Sequence, residues 1–135
     1  MALDVAPVAR YMLVCDDVLT DPRWPGKPVI VGLISLIHWP EYQVEPFTLG
    51  KMCVYMVLTG GRGEGTVRVV CREEASGLVV FHSGNQRLSF EGQDPVGVYG
   101  VTFRFHDCPF PRTGAYTVEF VWNERVVEQR FLNVW

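Results

Sequence analysis

Gly114-Ala-Tyr-Thr-Val-Glu-Phe-Val-Trp122, then Asn123-Glu124-Arg125, then Val126-Val-Glu-Gln-Arg-Phe-Leu-Asn-Val-Trp135 closes the chain, and its periodicity decides the fold class. In an extended strand successive side chains point to opposite faces. Tyr116, Val118, Phe120 and Trp122 therefore share one face, and Thr117, Glu119 and Asn123 share the other, with Val121 as the exception. A period of two with one apolar face is the pattern of a strand buried on one side. The polar trio Asn123-Glu124-Arg125 reverses the chain into a second strand, so the stretch is expected to be a β-hairpin. An isolated hairpin is marginal in water, so this aromatic face needs a second sheet to cover it.

The same period recurs upstream. Val101, Phe103 and Phe105 alternate with Thr102, Arg104 and His106, and Asp107 to Thr113 reads as the loop that leads into the hairpin. Met52, Val54, Met56 and Leu58 alternate with Cys53, Tyr55 and Val57, although both sets are apolar. Val67, Val69 and Cys71 alternate with Arg68 and Arg72. Leu78 to His82 and Gln86 to Phe90 are short strand-like runs between turns, and Gly60 to Gly65 is a glycine-rich hairpin connection. Near the start, Arg10 to Cys15 is an apolar strand that is expected to end at Asp16-Asp17. Thr20 to Pro28 is dense in Pro, Gly and Asp and is expected to be a loop. Val29 to Ile37 is apolar on both faces, β-branched and bounded by Pro28 and Pro40, which predicts a central strand rather than a buried helix. Gly32 in its middle suggests a bulge or a close backbone approach. About eight or nine strands at these spacings, with turn-sized gaps, predict an all-β domain of antiparallel strands. Two sheets packed face to face are the economical way to bury the aromatic faces, so residues 1–135 are expected to form a single β-sandwich domain.

Length and charge narrow the classes of function. A chain of 135 residues buries roughly two-thirds of its unfolded surface and needs no staples to hold a core. The net charge is −3, from 12 Lys and Arg against 15 Asp and Glu. A mildly acidic chain without a basic cluster argues against nucleic acid and against anionic membrane surfaces as partners. Pro28 to Ile37, the most apolar segment, holds ten residues and is too short to span a bilayer. No charged leader followed by an apolar run opens the chain, so a cytoplasmic protein is expected. Cys15, Cys53, Cys71 and Cys108 are expected to be reduced, mostly buried thiols that act as small hydrophobes, with a disulfide pair as the alternative.

Three segments carry a family resemblance: Tyr11-Met-Leu-Val-Cys-Asp16, Gly26-Lys-Pro-Val-Ile-Val-Gly-Leu-Ile-Ser35 and Pro109-Phe-Pro-Arg-Thr-Gly-Ala-Tyr-Thr-Val-Glu-Phe120. In this order they resemble a family of small bacterial proteins of unknown function, across most of the chain. The last segment is also similar to the closing strands of bacterial immunoglobulin-like domains. The resemblance implies an immunoglobulin-like β-sandwich and no activity, since fold alone does not deliver function.

Residues able to carry chemistry are sparse. Gly60 to Gly65 lacks the Lys-Ser/Thr pair and the following helix of a phosphate loop. His106-Asp107-Cys108, with His82 and Cys71, supplies metal-ligand types but no paired-cysteine spacing, and nothing beside it marks an oxyanion hole. Asp16, Asp17, Asp21, Asp94 and Asp107 are carboxylates that a calcium ion would want clustered, but Asp pairs also serve turns. No cofactor, metal or catalytic residue is assigned. Trp24, Trp39, Tyr42 and Phe47 lie in or beside proline-rich loops, where aromatics serve as binding hot spots or fold back to plug the sandwich. Trp135 at the C-terminus poses the same choice. The expectation is therefore a non-catalytic interaction module that uses a loop face or an unpaired strand edge to engage a protein partner or another copy of itself. The alternative is a small-ligand or carbohydrate-binding sandwich that stacks its ligand on Trp24, Trp39 and Tyr42.

Overall fold

The closing hairpin forms as its periodicity requires. The computed structural model describes residues 4–24, 26–40, 46–94 and 97–135. In it Gly114–Trp122 and Arg125–Val134 are antiparallel strands, with Trp122 opposite Arg125. The two residues between them, Asn123 and Glu124, both take left-handed backbone angles, φ 46° and 68°. Two consecutive left-handed residues make the turn whose twist matches that of a hairpin. Glu124 is not a residue that favours this conformation. It is held by a bidentate pair with Arg68, at 2.7 and 3.1 Å, while the Asn123 side chain accepts the Thr66 amide at 2.9 Å.

Ten strands are present among the described residues: β1 (Val8–Thr20), β2 (Pro28–Leu33), β3 (Leu36–Ile37), β4 (Phe47–Thr59), β5 (Glu64–Glu73), β6 (Val79–His82), β7 (Gln86–Ser89), β8 (Val98–Phe110), β9 (Gly114–Trp122) and β10 (Arg125–Val134). They build two sheets that pack together, one in the order β2-β1-β4-β8 and the other β3-β10-β9-β5-β6, with β7 also on β5. All pairs are antiparallel except β3 with β10, which is parallel. The core lies between the sheets, where Tyr116, Val118, Phe120 and Trp122 of β9 meet Met52, Val54, Met56 and Leu58 of β4 and Phe103 and Phe105 of β8. The chain is thus an all-β, two-sheet protein, and no helix among the described residues is long and apolar enough to cross a membrane.

Four elements differ from the sequence reading. β1 does not stop at Asp16-Asp17. The Asp17 carboxylate is gripped by Lys51 of β4 and Arg104 of β8, both at 2.9 Å, so an acidic residue that looked like a turn signal sits within the sheet. β8 likewise runs on through His106-Asp107-Cys108 to Phe110. Asp107 adopts φ 53°, a value Asp tolerates better than most residues. Beyond it Cys108 and Phe110 turn inward while His106 stays exposed. Pro109 is allowed because β8 is an edge strand and needs no outward amide.

Gly60 to Gly65 is not a hairpin turn but a crossing from one sheet to the other. Its glycines allow close approach: a Cβ on Gly65 would stand 2.5 Å from the Trp122 ring, and one on Gly61 2.4 Å from the Phe90 ring. The largest difference is Val29 to Ile37, which is not a central strand. It breaks at Ile34-Ser35 into β2, an edge strand, and the two-residue β3 on the opposite sheet. Gly32, at φ 63°, lies against the Asp16 carboxylate, the close approach its position suggested.

At the base of β9 a second network pins the corner. The Tyr116 hydroxyl donates to the Arg112 carbonyl at 2.5 Å. The Arg112 guanidinium grips the buried Glu73 at 2.8 and 3.0 Å, and Ser76 donates to the same carboxylate at 2.6 Å. Hydrogen bonds from Ser76 and then Arg112 hold Glu73 below the ordinary glutamate range. Hydrogen bonds from Lys51, the Val18 amide and Arg104 bring Asp17 down to about 2. A carboxylate whose folded pKa is depressed stabilises the fold above its unfolded pKa, near 4, and loses that contribution as pH falls through the folded value. The urea midpoint is therefore expected to fall as pH drops from about 4 towards 2. Asp17→Asn should flatten the lower part of that fall, and an unchanged profile would contradict the assignment.

Candidate functional site

Of the aromatics that pointed to a loop-borne site, Trp39 and Phe47 are buried. Their rings lie 5.4 Å apart, and Phe47 in turn stacks 6.4 Å from Phe110. They fill one end of the sandwich and present no surface to a ligand. Trp24 is exposed on the β1–β2 connection, with the Lys27 ammonium 5.0 Å from its ring centre. Tyr42 lies outside the described residues. The structure does not bring Trp24, Trp39 and Phe47 into one platform.

The metal-ligand types are also dispersed. His106 faces solvent while Cys108, two residues on, faces the core, so the two cannot hold one ion. Asp17 is paired with Lys51 and Arg104, and Asp21 with Arg23 at 3.3 Å. Among the described residues no group of three His, Cys, Asp or Glu side chains is placed to hold a metal. A surface hollow of about 470 Å³ is polar, and Arg87 within it is already paired with Glu64 and Asn123 with the Thr66 amide.

What the structure exposes instead is the apolar run read as buried. β2 ends its sheet, and among the described residues nothing pairs with its outer edge. Val29 and Val31 are exposed, and Leu33 is 70% exposed. From Leu33 the chain crosses to the other sheet, where Leu36 is exposed and stands in register with Asn133 of β10. Asn133 is flanked along its strand by Phe131, 64% exposed, and Trp135, 59% exposed. Leu33 and Phe131 line the same groove of about 270 Å³, with Met12, Val14 and Ile34 at its floor. Trp135 is not a loose end: its amide donates to Ile37 at 3.0 Å and its carbonyl accepts from Trp39 at 2.6 Å. Its ring stands edge-on to His38 at 4.9 Å. The result is a largely apolar ribbon, interrupted by Asn133 and bordered by Arg130, that runs along β2, over the crossing and onto the outer face of β10.

The other sheet edges carry the devices that prevent strand addition. β8 displays Arg104, His106 and Asp107, has a left-handed residue and contains a proline. β3 is two residues long, and β6 and β7 are four each. Charges, kinks, prolines and shortness all blunt an edge. From Pro28 to Ile37, β2 and its crossing carry no charge at all. Sequence reasoning missed this ribbon because an uncharged, β-branched run gives the same signal for a central strand and for an exposed edge strand.

The comparisons agree with an unassigned role. A family model described as Family of unknown function (DUF6941) matches residues 10–135. The chain belongs to that family. The DUF6941 match takes in all ten strands except the first two residues of β1, so the ribbon and the core both lie within it. No curated protein matches the chain.

Proposed function

We propose that this DUF6941 protein is a non-catalytic interaction module that offers the free edge of β2 and its adjoining apolar ribbon to an extended segment of another protein chain. The observation that carries this reading is the exposure of Val29, Val31, Leu33 and Leu36 on an uncharged strand and its crossing. A strand added to an exposed edge gains main-chain hydrogen bonds from the edge and specificity from alternate side-chain contacts. Contiguous exposed apolar surface of this kind marks docking sites on soluble proteins. The partner chemistry that fits is an apolar strand, from a different protein or from a second copy.

The sandwich is proposed to be of the immunoglobulin-like kind. The Tyr116 hydroxyl, bonded back to the Arg112 carbonyl, is the tyrosine corner such sandwiches use where a strand enters the sheet. A reducing, cytoplasmic setting is supported by four cysteines that all stand as free thiols. The ligand-binding alternative has less support, since Trp39 is buried and does not stand beside the exposed Trp24 as a stacking surface.

The test is capture from the native cells with the tagged wild-type chain and with a Val31→Lys chain. An edge lysine is a device natural sheets use to refuse partners, and an exposed substitution should change stability by no more than about 0.5 kcal/mol. The expected result is a stoichiometric protein, or a second copy by light scattering, held by the wild type and lost by Val31→Lys. Equal recovery with both chains, or none with either, would overturn the reading.

A further inference from the structure

Four cysteines are buried and unpaired, but two of them share one small site. Cys15 on β1 stands directly opposite Cys53 on β4 in the antiparallel ladder. Opposed residues of such a pair project to the same face, with Cα atoms about 4.5–5.5 Å apart. That spacing falls inside the range of roughly 4.4–6.8 Å that a disulfide spans. The Cys15 thiol already points at its neighbour, donating to the Cys53 carbonyl at 3.7 Å. Cys71 and Cys108 have no such opposition: Cys71 faces Phe81 and Val118 across its ladders, and Cys108 faces Leu49.

The surroundings also set the pair apart. Cys71 and Cys108 lie in the main core between the sheets, whereas Cys15 and Cys53 lie in a satellite cluster with Val18, against which Ile30 and Tyr55 pack. An exposed side chain covers this cluster: Arg104 sits with Nη1 3.6 Å from the Cys53 sulfur and 2.9 Å from Asp17, and its Nη2 donates to the Val18 carbonyl at 2.9 Å. Arg104 is thus the exposed group that lies against the Cys53 sulfur, and Ile30 and Tyr55 pack on the same cluster. Cys15, like Cys53, is fully buried. Burial first, then the neighbouring Cys53, Asp16 and Asp17, push its thiol up to about 11, with Arg104 opposing.

We propose that Cys15 and Cys53 are an oxidation site, at which hydrogen peroxide converts the opposed thiols into a reversible cross-strand disulfide between β1 and β4. Cys53 sulfur attacks a peroxide oxygen, the O–O bond breaks, and the departing hydroxide takes up the thiol proton as water, leaving Cys53 as a sulfenic acid. Cys15 sulfur then attacks Cys53 sulfur, the S–O bond breaks, and hydroxide leaves with the Cys15 proton as a second water. The two thiols lose two electrons and the peroxide gains them. A thiol reductant reverses the step by exchange.

The experiment exposes the reduced full-length chain to hydrogen peroxide, quenches it and counts thiols in denaturant. The expected result is a fall from four titratable thiols to two, loss of the mass of two hydrogens, and a peptide map that joins the Cys15 and Cys53 segments. In Cys15→Ser the Cys53 sulfenic acid should persist and react with a dimedone-type trap, while Cys71→Ser should leave the cross-link intact. Four thiols remaining after oxidation, or a cross-link through Cys71 or Cys108, would overturn the proposal. So would a bond between molecules only. Persistence of the cross-link in Cys71→Ser separates the pair's chemistry from any loss of fold in a cysteine variant.

Discussion

Replacing Trp39 with alanine is expected to lower the unfolding free energy by about 3–5 kcal/mol, the range seen when a buried Trp or Phe is truncated to alanine. For a chain of 135 residues that corresponds to a fall in Tm of roughly 10–18 °C. The reason is geometric. The indole is buried, packs 5.4 Å from Phe47, and through it meets the Phe110 ring, which itself touches Phe81 and Tyr116 edge-on at 5.5 and 5.1 Å. Removing it leaves a cavity at the end of a row of rings held by rigid strands, which cannot collapse to fill it. Trp24→Ala gives the contrast. Its exposed ring lies 5.0 Å from the Lys27 ammonium, and the change should stay within about 0.5 kcal/mol. Thermal unfolding of both variants separates the roles. A Trp39 variant as stable as the wild type would mean that the ring is a surface contact rather than part of the core.

Gly65→Ala should destabilise by about 1–3 kcal/mol although it adds only a methyl group, because overpacking a filled site forces its neighbours off their preferred geometry. The added carbon would stand 2.5–2.6 Å from three atoms of the Trp122 ring. That ring cannot retreat. It is buried, tilts against Phe90 at 5.8 Å, and belongs to the strand that ends in the tight Asn123-Glu124 turn. Gly65 sits within β5 without a left-handed angle, so the cost measures crowding and not backbone strain. Gly50 in β4 is the control: nothing lies within 4 Å of its added carbon, and alanine there should be neutral or mildly stabilising by the loss of unfolded-state freedom. Equal stability of Gly65→Ala and Gly50→Ala, by urea midpoint, would contradict the close approach of β5 to the Trp122 ring of the neighbouring β9.

Much of the architecture was legible because alternation carries physical information about one-sided burial. Tyr116, Val118, Phe120 and Trp122 face the core as their spacing required, and so do Phe103 and Phe105. The polar face of the same strand was less legible. Thr117 and Glu119 are buried, Glu119 beneath Arg72 at 3.3 Å, because a long arginine stem can cover a polar residue on a sheet's outer surface. The reach of β1 and β8 was hidden by residues that usually mark turns. Asp17 is tolerated in a strand by two cations from neighbouring strands, and Asp107 by its own left-handed angle, and neither partner can be read from local sequence.

The places of the loop aromatics were illegible for a related reason. Composition near prolines cannot tell a plug from a platform, so Trp39 and Phe47 looked like Trp24. An apolar run reports that it will be covered, not by what. For Val29 to Ile37 the protein's own cover is partial: Ile37 is buried and Ile30 packs on the cysteine cluster, while Val29, Val31, Leu33 and Leu36 remain exposed.

Hydrogen exchange tests the docking edge most directly. The protein recovered gently from its native cells, together with whatever it holds, is compared with the same chain purified alone and dilute. A strand added to β2 would bond its outward amides and shield its apolar side chains. Exchange over residues 28–36 should therefore slow in the recovered form, with a smaller effect around Phe131 and unchanged exchange in β8. Identical exchange over residues 28–36 in both preparations, or slowing confined to β8 or the Trp24 connection, would contradict the account.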